Sequence, residues 1–206
     1  SISSPDDVLA VCLFLVAALV CSRLATRLTQ QVESLRATHV HARALLTLGQ
    51  RLTASADAGG VRAAGVAALA KALSCEAALL ARDASGVLQA AVSVPPSLQL
   101  QPQDIAAADW CERHAAPAGR YTDTLNAAPC WLLPLGGEEQ RLGVAALRFP
   151  PGGDLDPDRR SLALAMVQDI GQALARARLA EELEGARVQG ETERLRSALL
   201  SSVSHD

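Results

Sequence analysis

The hydrophobic period of this chain changes twice along its length, which limits the folds open to it. Up to Leu73 apolar residues recur at helical spacing. From Cys75 to Phe149 they form short runs broken by Gly and Pro, and from about Asp158 the helical spacing returns. In the middle stretch, Cys75–Ala81 and Val87–Val94 read as strands joined by the turn Asp83-Ala84-Ser85-Gly86. Pro95, Pro96 and Pro102 mark a loop, and Asp104–His114 reads as a short helix carrying Trp110. Trp131–Leu135 and Leu142–Phe149 are two more strands, joined through Gly136-Gly137-Glu138-Glu139 and closed by Pro150-Pro151-Gly152-Gly153. Asp57–Leu73 is an amphipathic helix before the sheet, and a long helix follows it. The order helix, hairpin, loop with helix, hairpin, long helix predicts an α+β fold, an antiparallel sheet flanked by helices.

The chain has 206 residues, 19 of them basic and 22 acidic, for a net charge of -3. That suits one ordinary domain with flanking helices, and with no basic run it gives nucleic-acid binding no support. Half the residues are hydrophobic but only 2% are aromatic, so Ala and Leu carry the apolar content. This favours helices and a core of small side chains. The cysteines Cys12, Cys21, Cys75, Cys111 and Cys130 are odd in number and contain no Cys-x-x-Cys, the pattern of reduced cysteines rather than of a disulfide framework or zinc site.

Val8–Cys21 is almost wholly apolar, short of the roughly 20 residues of a usual span but extendable through Ser22 and Leu24, with Arg23 at the interface. A signal peptide would carry basic residues upstream. Here Asp6 and Asp7 stand upstream, and Arg23, Arg27 and Arg36 downstream. The expectation is a transmembrane helix over residues 1–24, with everything after Leu24 cytoplasmic by the positive-inside rule. Residues 25–54 then form a linker helix, with Leu24, Leu28, Val32 and Leu35 and later Leu45, Leu48 and Leu52 at helical spacing. His39 and His41 lie on its polar side and read as solvated.

Three segments together carry a family resemblance. The first is Ala108-Asp109-Trp110-Cys111-Glu112-Arg113-His114 followed by Pro117-Ala118-Gly119-Arg120-Tyr121-Thr122-Asp123-Thr124-Leu125. The second is Trp131-Leu132-Leu133-Pro134-Leu135. The third runs from Glu193 through Ser201-Ser202-Val203-Ser204-His205-Asp206. With an apolar run upstream, the chain resembles the C-terminal sensor half of the Kdp potassium-sensor histidine kinases (KdpD type). It departs from their pattern at Tyr121, where members tend to carry Gly, and at Asn126-Ala127, where they carry Pro-Gly.

The resemblance implies a last membrane span, a GAF-like sensory domain (related to PAS) over residues 55–178, and over 179–206 a signalling helix that starts the dimerisation and phosphoacceptor domain. It implies a bacterial inner-membrane protein that senses potassium or osmotic state. The complete protein would autophosphorylate on His205, with Asp206 as orienting acid or base, using ATP and Mg bound outside this chain. Phosphate would pass to a response regulator of the KdpE type controlling potassium-transport genes, and the chain alone would be inactive. The expected partners are a second copy of the chain, that regulator, and a potassium ion or small ligand in the GAF-like domain.

The residues of the tail fit this role. Leu195, Leu199 and Val203 form one stripe, and on a helix His205 points roughly 140° away from it, exposed to a separate kinase domain. An unperturbed histidine, with pKa about 6.5, is largely neutral at pH 7 and has a free nitrogen for in-line attack on a phosphoryl group. The serines beside it lack a base or oxyanion arrangement and read as small polar surface residues. Arg120, Thr122 and Asp123 are candidate ligand contacts, set against a plain structured loop with a surface salt bridge. Cys111 and His114 would suit a bilin or haem by residue type alone. No metal site and no cofactor are expected within the chain. Gly185 and Gly190 read as a flexible junction in the last helix. The alternative function is a membrane-tethered GAF module that binds a small ligand or a partner without phosphotransfer.

Overall fold

The computed structural model describes residues 18, 22–23, 41–55, 57–137, 140–152 and 155–203, with side chains to residue 192 in the last helix. The chain divides into two compact units, Ser1–Arg43 and Ala44–Asp206. The expected span over 1–24 falls almost entirely outside the described residues, of which 18, 22 and 23 are helical. Among the described residues no helix is long and apolar enough to cross a membrane.

The elements are α1 (residues 41–53), α2 (Ala58–Leu73), β1 (Glu76–Arg82), β2 (Leu88–Val94), α3 (Pro102–His114), β3 (Ala118–Gly119), β4 (Trp131–Pro134), β5 (Val144–Arg148) and α4 (Pro157–Val203). The five strands form one antiparallel sheet in the order β2-β1-β5-β4-β3. This matches the α+β expectation, with both hairpins as read. The two-residue strand β3 was not expected, being too short for any alternating pattern. A bulge between Leu79 and Leu80 leaves an extra residue on β2.

Alternation along the strands divides the core in two. Ala77, Leu79, Trp131, Leu133, Ala145 and Leu147 face a core shared with α1, α2 and α4. Ala78, Leu80, Leu132, Val144 and Ala146 face a second core under α3. Because β1 and β5 are buried on both faces, they read as continuous apolar runs. Leu48 and Leu52 of α1 are buried in the first core, so that part of the expected linker helix belongs to the domain itself.

Local chemistry sets the helix boundaries. Asp57 caps α2 by accepting a 2.7 Å hydrogen bond from the Gly60 N–H, and Ser74 ends it in the left-handed region at φ 51. Pro102 opens α3, while Ala115 closes it at φ 46. α2 and α4 approach closely at Gly65, where a Cβ would lie 2.9 Å from Ile170 Cδ1.

The 47 residues of α4 span about 70 Å at helical rise. Its inner part buries Leu162, Met166, Val167, Ile170 and Leu174. From Arg178 to Thr192 every residue is exposed. The helix runs unbroken through Gly185 and Gly190, where a flexible junction was expected. A glycine in an exposed helix costs about 1 kcal/mol without ending it, and the pairs Arg178–Glu182 (2.9 Å) and Arg187–Glu191 (3.3 Å) lie on either side of Gly185, the second spanning Gly190.

Asp104 ties the two ends of the α3 segment together. Fully buried, it accepts hydrogen bonds from the Gln101 N–H and the Cys130 N–H, both at 2.9 Å, and lies 3.5 Å from Arg148 Nη2. Arg148 also donates to the Gln99 carbonyl at 2.8 Å. Asp104→Ala would leave two N–H groups and a guanidinium short of an acceptor, and is expected to cost about 3 kcal/mol, lowering Tm by roughly 6–12 °C. Asp104→Asn keeps one acceptor and should lose less; thermal melts of the two variants check the order.

A second pair of variants separates strain from propensity. At Gly143, φ is 121 and a Cβ would lie 2.1 Å from the Leu80 carbonyl oxygen; at Gly185 the space is open. Gly143→Ala should destabilise the domain by about 3 kcal/mol or more, whereas Gly185→Ala should stabilise α4 by about 0.5–1 kcal/mol. Urea denaturation curves measure both.

Candidate functional site

The sequence candidates occupy different surroundings. His205 and Asp206 lie outside the described residues, although the α4 backbone is followed to Val203. Arg120, Thr122 and Asp123 sit on the loop between β3 and β4. Thr122 Oγ1 donates to the Gly119 carbonyl at 2.7 Å, with the Thr124 carbonyl also within reach at 2.9 Å, so its hydroxyl serves the turn. Arg120 Nη1 donates to the Phe149 carbonyl at 3.4 Å, and its guanidinium lies 4.8 Å from the Tyr121 ring centre. Asp123 is exposed. Each of the first two is spent on fixing the loop, and they are not brought together around a cavity.

Tyr121, at the position where the family resemblance calls for glycine, has φ 66, a left-handed conformation that glycine adopts freely. Its ring makes edge contacts with Trp131 at 6.4 Å and Phe149 at 6.0 Å, and Arg160 donates to its carbonyl at 3.3 Å. Packing of the ring offsets the backbone cost.

Cys111 is buried, and burial pushes its thiol up to about 12; Cys75 and Cys130 are pushed up to about 12 for the same reason. All three stay protonated near neutral pH and are poor nucleophiles. The His114 ring stacks on Trp110 at 4.3 Å, with Nδ1 2.9 Å from the Trp110 carbonyl. Trp131 is core, as its sequence context suggests, and Trp110 is half-buried. Asp83 holds the β1–β2 turn: hydrogen bonds from the Ser85 hydroxyl and then the Val87 N–H keep its carboxyl below the usual range.

The concentration of charge that sequence reading missed lies at the β1 end of the sheet. A cleft of about 460 Å³ opens there between α2, α3, α4 and the segment leading into β5. Arg62 comes from the second turn of α2, Arg82 from the last position of β1, Glu112 from the last turn of α3, Arg141 from the β4–β5 connection, and Arg178 and Glu181 from α4. Arg82 anchors it, donating to Asp109 Oδ1 and the Gly86 carbonyl at 2.8 Å, with Glu112 Oε2 2.6 Å from Nη2. Glu112 Oε2 is buried against this guanidinium, so the pair is an electrostatic contact closed to solvent. Among the described residues Arg62 and Arg141 have no ion pair or side-chain hydrogen bond. These six residues are spread from 62 to 181, so no local motif announces them.

No protein-family model matches the chain. Over its whole length it is 27% identical, across 209 aligned residues, to sensor protein KdpD of Escherichia coli strain K12, of which it covers 23%. Sensor protein KdpD of Clostridium acetobutylicum is 36% identical over 101 residues, 49% of this chain and 11% of that protein. The chain therefore spans less than a quarter of the length of these curated relatives. Among solved structures, the native GAF domain of the potassium sensor histidine kinase KdpD from Escherichia coli superposes with a TM-score of 0.57 at 26% identity, covering 69% of this chain and 99% of that one. Sequence and fold agree: the chain is similar to the sensor protein KdpD of these bacteria and has the fold of its GAF domain.

Proposed function

We propose that the chain is the sensing and transmitting part of a two-component sensor histidine kinase that responds to potassium or osmotic state. One observation carries this reading. The helix that closes the first core against α2 continues without a break to Val203, two residues before His205. A change in how α4 packs on the sheet therefore has a helical path as far as Val203, in the direction of the phosphoacceptor. The N-terminal apolar run would anchor the protein in the bacterial inner membrane, with residues after Leu24 cytoplasmic. Leu179, Leu183 and Val188, each more than half exposed on the outer part of α4, support pairing with a second copy of the helix in a parallel homodimer.

In the complete kinase, ATP and Mg bound on another domain supply the phosphoryl group. A neutral His205 nitrogen attacks it in line; the N–P bond forms as the bond to ADP breaks, and Asp206 accepts the proton from the other ring nitrogen. The phosphoryl group then moves to a carboxylate of a response regulator of the KdpE type.

Label from radioactive ATP should enter the complete kinase at His205. The 206-residue chain alone should take up none, and should become labelled when an ATP-binding kinase domain of this family is added in trans. His205→Gln should abolish labelling, and Asp206→Asn should slow it by about 10²-fold with a shifted pH profile. Labelling of the isolated chain, or unchanged labelling of the glutamine variant, contradicts the assignment. For the dimer, Leu183→Cys should crosslink to its copy under mild oxidation, whereas a cysteine at buried Leu174 should not; equal crosslinking at both would count against parallel pairing along outer α4.

A further inference from the structure

The cleft at the β1 end of the sheet is not accounted for by phosphotransfer. Four guanidiniums line it against two carboxylates, and one of those carboxylates, Glu112, is already paired with Arg82. Arg178 is paired with Glu182 along the helix at 62% side-chain exposure, a weak solvent-screened contact that is readily exchanged. Arg62 and Arg141 face the cleft with no partner among the described residues. Unpaired guanidiniums arriving from separate elements suit an anion with several oxygens better than a single carboxylate, because each planar fork can take its own oxygens. The cavity volume falls in the range of small-molecule sites.

We propose that this cleft binds a small phosphorylated molecule, and that its occupancy clamps α4 where the helix leaves the domain. Arg62 and Arg141 hold the phosphate oxygens. Arg178 joins the phosphate by giving up its contact with Glu182. Leu174, the last fully buried residue of α4, forms one wall, and Arg178 lies one turn beyond it. A bound anion thus bridges α2 and the β4–β5 connection to the first exposed turn of the outer helix. This goes beyond the phosphotransfer reading and does not depend on it.

The test uses the whole chain in detergent, with inorganic phosphate, pyrophosphate and glycerol 3-phosphate as probes, and acetate and chloride at matched ionic strength as controls. At ten times the dissociation constant, a phosphate probe should raise Tm by about 3–5 °C. The controls should give no shift. Arg62→Gln and Arg141→Gln should each weaken binding about tenfold or more, whereas Arg187→Gln, on the outer helix away from the cleft, should not. Amide exchange over residues 174–184 should slow on binding. The proposal is overturned if no probe shifts Tm beyond the controls at millimolar concentration, or if both arginine variants bind as the parent does. Binding with unchanged exchange over 174–184 would overturn the clamp. Because these readouts concern binding and exchange, they are independent of whether His205 accepts phosphate.

Discussion

The packing of α4 against α2 and the sheet is the contact on which the rest of the molecule depends. Met166, Ile170 and Leu174 are buried on one stripe, and Gly65 lets the two helices meet with Ile170 in the groove. Burial of each such side chain is worth about 1.5–3 kcal/mol, so the inner half of α4 shares the stability of the core. Past Arg178 that support ends. The outer half holds its helix through backbone hydrogen bonds and, among the described residues, two i,i+4 ion pairs worth a few tenths of a kcal/mol each. One continuous element is therefore rigid where the domain can move it and marginal where a partner must complete it. That asymmetry suits a transmitter better than a structural strut.

The sheet keeps its two faces distinct. The face toward α2 and α4 carries Leu79, Trp131, Leu133 and Leu147. The second core, between the other face and α3, is built largely of alanines and cysteines. Small side chains bring α3 close to the strands, and the segment leading back to β4 is then held by polar contacts centred on Asp104 rather than by large apolar groups. This division explains how a chain so poor in aromatics still builds a core: three of its five aromatic residues, Trp131, Tyr121 and Phe149, are gathered at one corner of the first core.

The sheet and its helices were legible because their signals are local. The short continuous apolar runs of β1, β4 and β5, the Asp83–Gly86 turn, the Asp57 cap and Pro102 each act within a few residues. What was not legible depends on distance. β3 has two residues and exists only because Ala118 and Gly119 meet Leu132 and Trp131. Gly185 and Gly190 carry the local mark of a break, yet one or two unfavourable residues do not interrupt a long helix flanked by good formers. Arg120 and Thr122 looked like ligand contacts because they sit in a polar loop. Their donors instead go to Phe149 and Gly119, the first of them 29 residues away in sequence. The cleft arginines come from four separate stretches of the chain, so no short window of sequence contains two of them.

The position of the cleft matters more than its charge. Arg178 and Glu181 lie within two turns of Leu174, at the boundary between the anchored and free halves of α4. A change of about 1.4 kcal/mol in the relative stability of two packing states at that boundary shifts their populations tenfold. One charge-assisted hydrogen bond made in only one state supplies roughly that much. The same bond placed at the middle of α4's buried stretch would have to compete with several buried side chains, and placed far along the outer helix it would have no core to work against. A ligand that must bias a helix against a folded domain acts with most effect at the last residue the domain holds, and that is where these arginines converge.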